Sequence, residues 1–185
     1  NYARWERILR RFLEPFLLRR VNTVFVTAEV TQEYYKEKYN LDTEVLPHTT
    51  NIQNYNRPKL KLFQRKETTM IMYTGGFTIA QQGAIMDLVN LINKFPDLDI
   101  KLILCTIEPP DVVKEMGISP GPKVVIRQAN REEIPALQQS ADILFLPFSF
   151  PIHGYDHLTI LRTASPSKLP EYLAAGRPIL VYAPA

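Results

Sequence analysis

Apolar and polar positions alternate along this chain in two rhythms, and the change from one to the other marks its elements. Between residues 4 and 20, Trp5, Ile8, Leu9, Phe12, Leu13, Phe16 and Leu17 recur at helical spacing, which predicts an amphipathic helix. A short apolar run from Val24 to Thr27 predicts a strand. Thr31 to Tyr39 predicts a helix, and Glu44 to Pro47 a second short strand. Residues 51 to 64 hold Pro58 and several Asn without a clear period and read as a linker. Beyond it the alternation is strong. Strands are predicted over 69–73, 100–105, 124–127, 143–146 and 179–182, and helices over 82–94, 111–116, 131–139 and 168–175. Strands that are apolar throughout, separated by helices, predict a doubly wound parallel α/β sheet. Its last strand, Ile179 to Tyr182, is expected to be buried on both faces. No internal repeat or low-complexity tract interrupts the pattern.

Composition narrows the function classes. The chain has 185 residues, enough for one domain, or one domain and a fragment of another. Twenty-two basic and 19 acidic residues leave a net charge of +3, too balanced for a surface built to hold nucleic acid. Cys105 is the one cysteine, so an internal disulfide framework is excluded, and Cys105 reads as a small buried apolar residue. No window reaches the roughly 18–20 apolar residues of a membrane span, and no signal peptide is evident, so a cytoplasmic protein is expected. The helix at 4–20 carries Arg4, Arg7, Arg10, Arg11, Arg19 and Arg20. It reads first as a helix packed on a partner elsewhere in the protein. Its second reading is a basic face that meets anionic lipid at the inner side of a membrane.

Local chemistry is sharpest between Ser165 and Val181. Pro170 has no amide proton to donate and therefore belongs in the first turn of a helix. That places the cap near Ser167 or Lys168, where a serine oxygen would accept from an orphan amide. Ala174 and Ala175 propagate the helix, Gly176 suits a left-handed stop, and Pro178 prevents continuation. The electropositive tip of such a helix is an anion site, and Lys168 adds a charge at a place where the dipole disfavours a cation. A bound diphosphate would reverse that balance, with Ser167 and the amides of Lys168 and Leu169 as further donors. In an open parallel sheet the ligand lies beyond the carboxyl ends of the strands.

The run from Ser165 to Val181, with its Ala174-Ala175-Gly176-Arg177-Pro178 turn, resembles a signature of GT-B-fold glycosyltransferases, close to the retaining enzymes of family 4. Three more segments carry the resemblance in the same order. Val45 to Asn51 resembles the interdomain strand end and its turn. Met70 to Phe77 resembles the first strand and glycine loop of the C-terminal domain. Gln139 to Pro147 resembles the family's Ala-Asp-apolar-Pro strand. The resemblance implies that residues 1–58 end an N-terminal half and its linker. Residues 59–185 would then form a nucleotide-sugar-binding, Rossmann-like C-terminal domain, with the acceptor-binding domain missing before residue 1 and further strand and helix material after residue 185.

By that resemblance the loop Gly75-Gly76-Phe77 faces the diphosphate. The family's basic residue after the loop glycine is here Phe77, and its Lys-Gly pair at the next helix start is Gln82-Gly83. Glu171 matches the second Glu of the family's spaced pair and would hold the ribose hydroxyls. The first Glu is replaced by Thr163. Arg127 opens the loop that cradles the base, or else faces solvent. The connection from Phe148 to Ala164 would be a lid over the donor sugar. Its His153, Asp156 and His157 are read as lid residues rather than metal ligands, no metal or other cofactor is expected, and His48 reads as a turn residue.

Three functions follow as expectations. The leading one is transfer of a sugar from a nucleoside diphosphate donor to a hydroxyl acceptor, a glycan or lipid-linked glycan of surface polysaccharide or glycoconjugate synthesis. No catalytic residue is assigned. The donor-site residues are Gly75, Gly76, Phe77, Gln82, Arg127, Ser167, Lys168, Leu169 and Glu171. The alternatives are a non-catalytic nucleotide-sugar module of the same fold and a sugar-nucleotide epimerase, for which no acid or base is identified.

Overall fold

A computed structural model describes residues 12–55, 68–149, 163 and 165–183. These residues form two compact units, one reaching to His48 and including Thr163 and Ser165, the other running from Thr49 and resuming at Pro166.

The first unit holds a helix α1 over residues 12–18, a helix α2 (Glu29–Tyr39) and two short parallel strands, β1 (Phe25–Val26) and β2 (Glu44–Val45). Phe12, Phe16 and Leu17 of α1 are exposed, and the Arg20 guanidinium lies 3.7 Å over the Phe16 ring. Thr31 donates its hydroxyl to the Thr163 carbonyl at 3.0 Å, and the Ser165 hydroxyl donates to that of Thr27.

The second unit is a five-stranded parallel sheet. Its strands are β3 (Thr69–Thr74), β4 (Ile100–Thr106), β5 (Val124–Gln128), β6 (Ile143–Pro147) and β7 (Ile179–Tyr182), in the spatial order β5-β4-β3-β6-β7. The order reverses between β3 and β6, so the fold has a switch point where a crevice opens. Side chains alternate across the sheet. Ile71, Tyr73, Leu102, Leu104 and Phe145 point to a core closed by α3 (Ile79–Lys94) and α4 (Pro110–Glu115), through Ile85, Val89, Ile92 and Val113. Met72, Cys105, Leu144 and Leu146 point to the opposite face, closed by α5 (Ile134–Ser140) and α6 (Lys168–Ala175), through Leu137, Tyr172 and Ala175. The sheet is therefore doubly wound, as its apolar runs require. Cys105 is buried and unbonded.

Three expectations need correction. Helix α5 begins at Ile134, three residues after the predicted Arg131. Helix α3 begins at Ile79, three residues before Gln82, because the Thr78 hydroxyl accepts from the Ala80 amide and caps it there. And β7 is not buried on both faces: it pairs with β6 alone at the margin of the described sheet, leaving Leu180 and Val181 exposed. An apolar run cannot tell a central strand from a marginal one.

Helix α6 and β7 otherwise take the predicted limits. Gly176 ends α6 with φ 65° and ψ 36°, and its amide donates to the Leu173 carbonyl at 3.1 Å. A Cβ in this left-handed conformation costs about 1 kcal/mol. Gly176→Ala is expected to lower the melting temperature by about 2–4 °C in thermal unfolding, a small effect that would report strain at the stop of α6 without touching the cleft.

Candidate functional site

At the carboxyl ends of β3 and β4 the second unit has a cleft of ≈470 Å³. Thr74 and Gly75 continue β3 into its floor, and Cys105, Thr106 and Ile107 continue β4. Ala129 and Arg131, beyond β5, and Ile134 and Pro135, at the start of α5, form one wall. Thr49 to Asn51, with Asn54 and Tyr55, form another, and Ser167, Lys168 and Glu171 bring the first turn of α6 to the opening. A parallel sheet whose strand order reverses should carry its ligand here, beyond the carboxyl ends of its strands.

Lys168 and Glu171 are three residues apart on α6 and therefore share a face. The Lys168 chain passes over Gly75, so closely that a Cβ on Gly75 would collide with its Cε and Nζ, and Gly75 has φ 135°, a region that strains any other residue. The glycine at the end of β3 is thus required by its backbone conformation, and it leaves room for the lysine laid across it. The Lys168 ammonium also stands 5.7 Å from the centre of the Tyr73 ring. Burial pulls its pKa below the ordinary lysine range, against the opposing influence of the Glu171 and Glu108 carboxylates. Among the described residues neither carboxylate forms an ion pair with it. A half-buried cation that none of the described residues pairs, at the mouth of a cleft, is suited to an anion from outside.

Glu171 is held from behind. The side-chain amide of Gln138, which is fully buried, donates to Glu171 Oε2 at 3.2 Å and to the Thr74 hydroxyl at 2.9 Å, and its oxygen accepts from the Tyr55 hydroxyl at 2.8 Å. Next to it the Thr74 amide donates to the Tyr172 phenol oxygen at 3.2 Å, and burial pushes that phenol up to about 12. None of Gln138, Tyr55 or Tyr172 was singled out from the sequence. The signal for Gln138 is that it lies four residues after Ile134, on the apolar side of α5, where a polar side chain needs a partner.

Of the nine residues selected from the sequence, Gly75, Ser167, Lys168 and Glu171 line the cleft. Gly76, Phe77, Gln82, Arg127 and Leu169 do not. Phe77 is buried and stacks on Tyr73 with ring centres 5.7 Å apart. Gln82 lies inside α3 rather than at its start and donates to the Met116 carbonyl at 3.0 Å. Arg127 is exposed and paired with Glu133 at 3.0 Å. Leu169 packs on the α5/α6 side of the core, and its amide already donates to the Pro166 carbonyl at 3.0 Å. Ser167 does stand at the cap of α6, but its backbone is helical and its hydroxyl makes no capping bond. The 148–164 connection with His153, Asp156 and His157 lies mostly outside the described residues. Among the described residues no group of three metal-ligating side chains occurs, and no helix is long and apolar enough to cross a membrane.

The glycine loop is also less open than its sequence suggests. The Gly75 amide donates to the Cys105 carbonyl at 2.8 Å, and the Gly76 carbonyl accepts from the Tyr73 hydroxyl at 2.6 Å. Glu108 fills the remaining position: its Oε1 accepts from the Phe77 amide at 3.1 Å, its Oε2 accepts from the Thr106 hydroxyl, and its own amide donates to that hydroxyl at 3.2 Å. A Cβ on Gly76 would come within 3.0 Å of Glu108 Oε1. The loop amide that a phosphate would use therefore already holds a carboxylate of this chain. Removing that charge while keeping the oxygen should favour an incoming anion. Glu108→Gln is expected to tighten binding of a nucleoside diphosphate about 5-fold at low salt, by calorimetric titration. Unchanged or weaker binding would mean that the anion does not approach this loop.

No protein-family model matches the chain, and no curated protein sequence matches it. Solved structures do. TarM shares the fold with a TM-score of 0.61 at 12% identity, over 91% of this chain and 31% of its own. A mutant of TarM from S. aureus, matched with the same TM-score at 11% identity, over 91% of this chain and 32% of its own, is in complex with fondaparinux, α-GlcNAc-glycerol and UDP. A glycosyltransferase from Rickettsia africae matches with a TM-score of 0.54 at 13% identity, over 86% of this chain and 44% of its own. The chain thus spans about a third to under half of the length of the structures it resembles. At these identities the likeness shows the fold: the α/β, Rossmann-like architecture of GT-B glycosyltransferases.

Proposed function

We propose that this chain is the donor-binding part of a nucleotide-sugar-dependent glycosyltransferase, of the kind found in family 4. The observation that carries the reading is the pairing, on one turn of α6, of a half-buried cation without an ion-pair partner among the described residues and a carboxylate held from behind, both on the cleft at the sheet's carboxyl edge. Lys168 would take the diphosphate, and Glu171 would accept hydrogen bonds from the ribose hydroxyls. The UDP held by TarM, a protein of the same fold, supports a nucleoside diphosphate as the ligand class.

In the reaction, the bond between the sugar's anomeric carbon and the diphosphate oxygen breaks, its electron pair leaving with the diphosphate. A hydroxyl oxygen of the acceptor forms the new bond and gives up its proton to the departing diphosphate. Charge grows on the departing diphosphate, and Lys168 stabilises it there without a metal ion. The acceptor, a glycan or lipid-linked glycan, would be held mainly by an N-terminal half of which residues 1–58 are the end. Residues 59–185, with Thr49–Asn51, Asn54 and Tyr55 from the segment before them, would supply the donor site.

Titration with UDP, GDP, ADP and their sugars tests this directly: binding of at least one is expected, and binding of none would overturn it. A non-catalytic module of the same fold is the second reading. It is favoured by Glu108 on the Phe77 amide, by the engagement of Gln82 with Met116, and by Thr163 in place of the first Glu. The full-length protein separates the two. Sugar transfer or donor hydrolysis that disappears in Glu171→Gln marks the transferase, and tight binding without turnover marks the module.

A further inference from the structure

Four side chains join in a hydrogen-bonded path from the segment before the sheet to the acid of the cleft: Tyr55, Gln138, Thr74 and Glu171. Gln138 is its centre. Both hydrogens of its amide nitrogen are used, one by the Thr74 hydroxyl and one by Glu171 Oε2, while its oxygen takes the Tyr55 hydroxyl. The two hydroxyls could each serve as donor or acceptor, but an ionised carboxylate only accepts. Glu171 therefore dictates which end of the Gln138 amide faces it, and Tyr55 is left to donate to the other end.

The consequence is directional. One oxygen of Glu171 is tied to the protein interior, so the carboxylate is fixed in rotation, with its second oxygen available to the cleft that Glu171 lines. We infer that Gln138 is a positioning residue for Glu171, and that Tyr55 positions Gln138 in turn, so that recognition of the ligand's vicinal hydroxyls depends on an amide that does not itself line the cleft. This rests on the reading of Glu171 as the ribose-binding acid. Gln138 satisfies buried polar groups as well, so loss of stability alone would not separate positioning from packing. The ribose preference does, because only the orientation of Glu171 bears on the 2′-hydroxyl.

The test measures binding of UDP, GDP and ADP, each beside its 2′-deoxy counterpart, by calorimetry on the protein. The unsubstituted protein is expected to favour the ribonucleotide about 10-fold for the base it accepts. In Gln138→Met the preference should fall to about 2-fold or less, with affinity for the 2′-deoxy ligand nearly unchanged. In Tyr55→Phe it should fall part of the way. Gln138→Glu sets a second carboxyl against Glu171, which repels it when both are ionised and can donate to it once one proton is bound between them. Its ribose preference should therefore be lost where both are ionised and recovered on acidification. Should Gln138→Met fail to fold, Tyr55→Phe and Gln138→Glu decide the matter. A full ribose preference in folded variants would overturn the inference while leaving the donor site intact. An unsubstituted protein that binds nucleotides without ribose preference would remove the role of Glu171 and this inference with it. One that binds no nucleotide would remove the donor site as well.

Discussion

Lys168→Ala should weaken binding of a nucleoside diphosphate about 30- to 150-fold, while leaving the melting temperature unchanged or raising it. The first half follows from losing a charge-assisted contact to phosphate, about 2–3 kcal/mol. The second half follows from the environment of the ammonium. Burial depresses its pKa in the folded chain, with Glu171 and Glu108 only partly opposing. Between that depressed value and the ordinary lysine value the unfolded chain binds more protons than the folded one, so stability rises with pH through this window. Put the other way, at neutral pH the charge on Lys168 costs stability, and alanine removes the cost. A structural lysine would show the opposite pattern, with stability lost and binding spared. Bound diphosphate stabilises the charged form, so affinity should fall as pH rises through the depressed lysine pKa, a trend absent from Lys168→Ala. Calorimetric titration across alkaline pH and thermal unfolding at neutral pH check the two halves separately.

The same residues show how far a sequence carries such an argument. Helix α6 takes its predicted limits because three residues act locally: Pro170 in the first turn, Gly176 at the left-handed stop, and Pro178 beyond it. Local chemistry also placed Lys168 and Glu171 on one face, and the structure puts both on the cleft. The glycine loop is less legible for a physical reason. A Gly-Gly turn after a strand is compatible with a phosphate, with a lysine laid across it, or with a carboxylate on its amides. Here the latter two are in place, Lys168 over Gly75 and Glu108 on the Phe77 amide. Glu108 is 31 residues from Phe77, and Gln138 is 33 from Glu171 and 83 from Tyr55. Partners this distant are brought together by the strand order β5-β4-β3-β6-β7, which periodicity does not encode. Gln82 stands off the cleft because the cap lies at Thr78: a helix starting three residues earlier carries Gln82 out of its first turn and to Met116.

Glu171→Gln should lower nucleotide affinity about 10- to 30-fold with little change in stability, whereas Glu171→Ala should lower both. The distinction comes from Gln138. Its buried amide nitrogen needs an acceptor at the position of Glu171 Oε2. A glutamine introduced at 171 can supply one by turning its carbonyl oxygen inward, and that choice forces its amino group toward the cleft. The cleft then offers the ribose hydroxyls a neutral donor where it had a charged acceptor, so binding falls although the interior stays satisfied. Alanine supplies neither. It leaves the Gln138 N–H buried with Thr74 as its one remaining acceptor, at a cost of about 1–3 kcal/mol, in addition to the lost ligand contact. Thermal unfolding and titration of the two variants side by side therefore separate the outward function of this carboxylate from its inward one. Equal loss of stability in both variants would mean that the glutamine cannot satisfy Gln138. Equal affinity in Glu171→Gln and the unsubstituted protein would mean that no hydroxyl is read at this position.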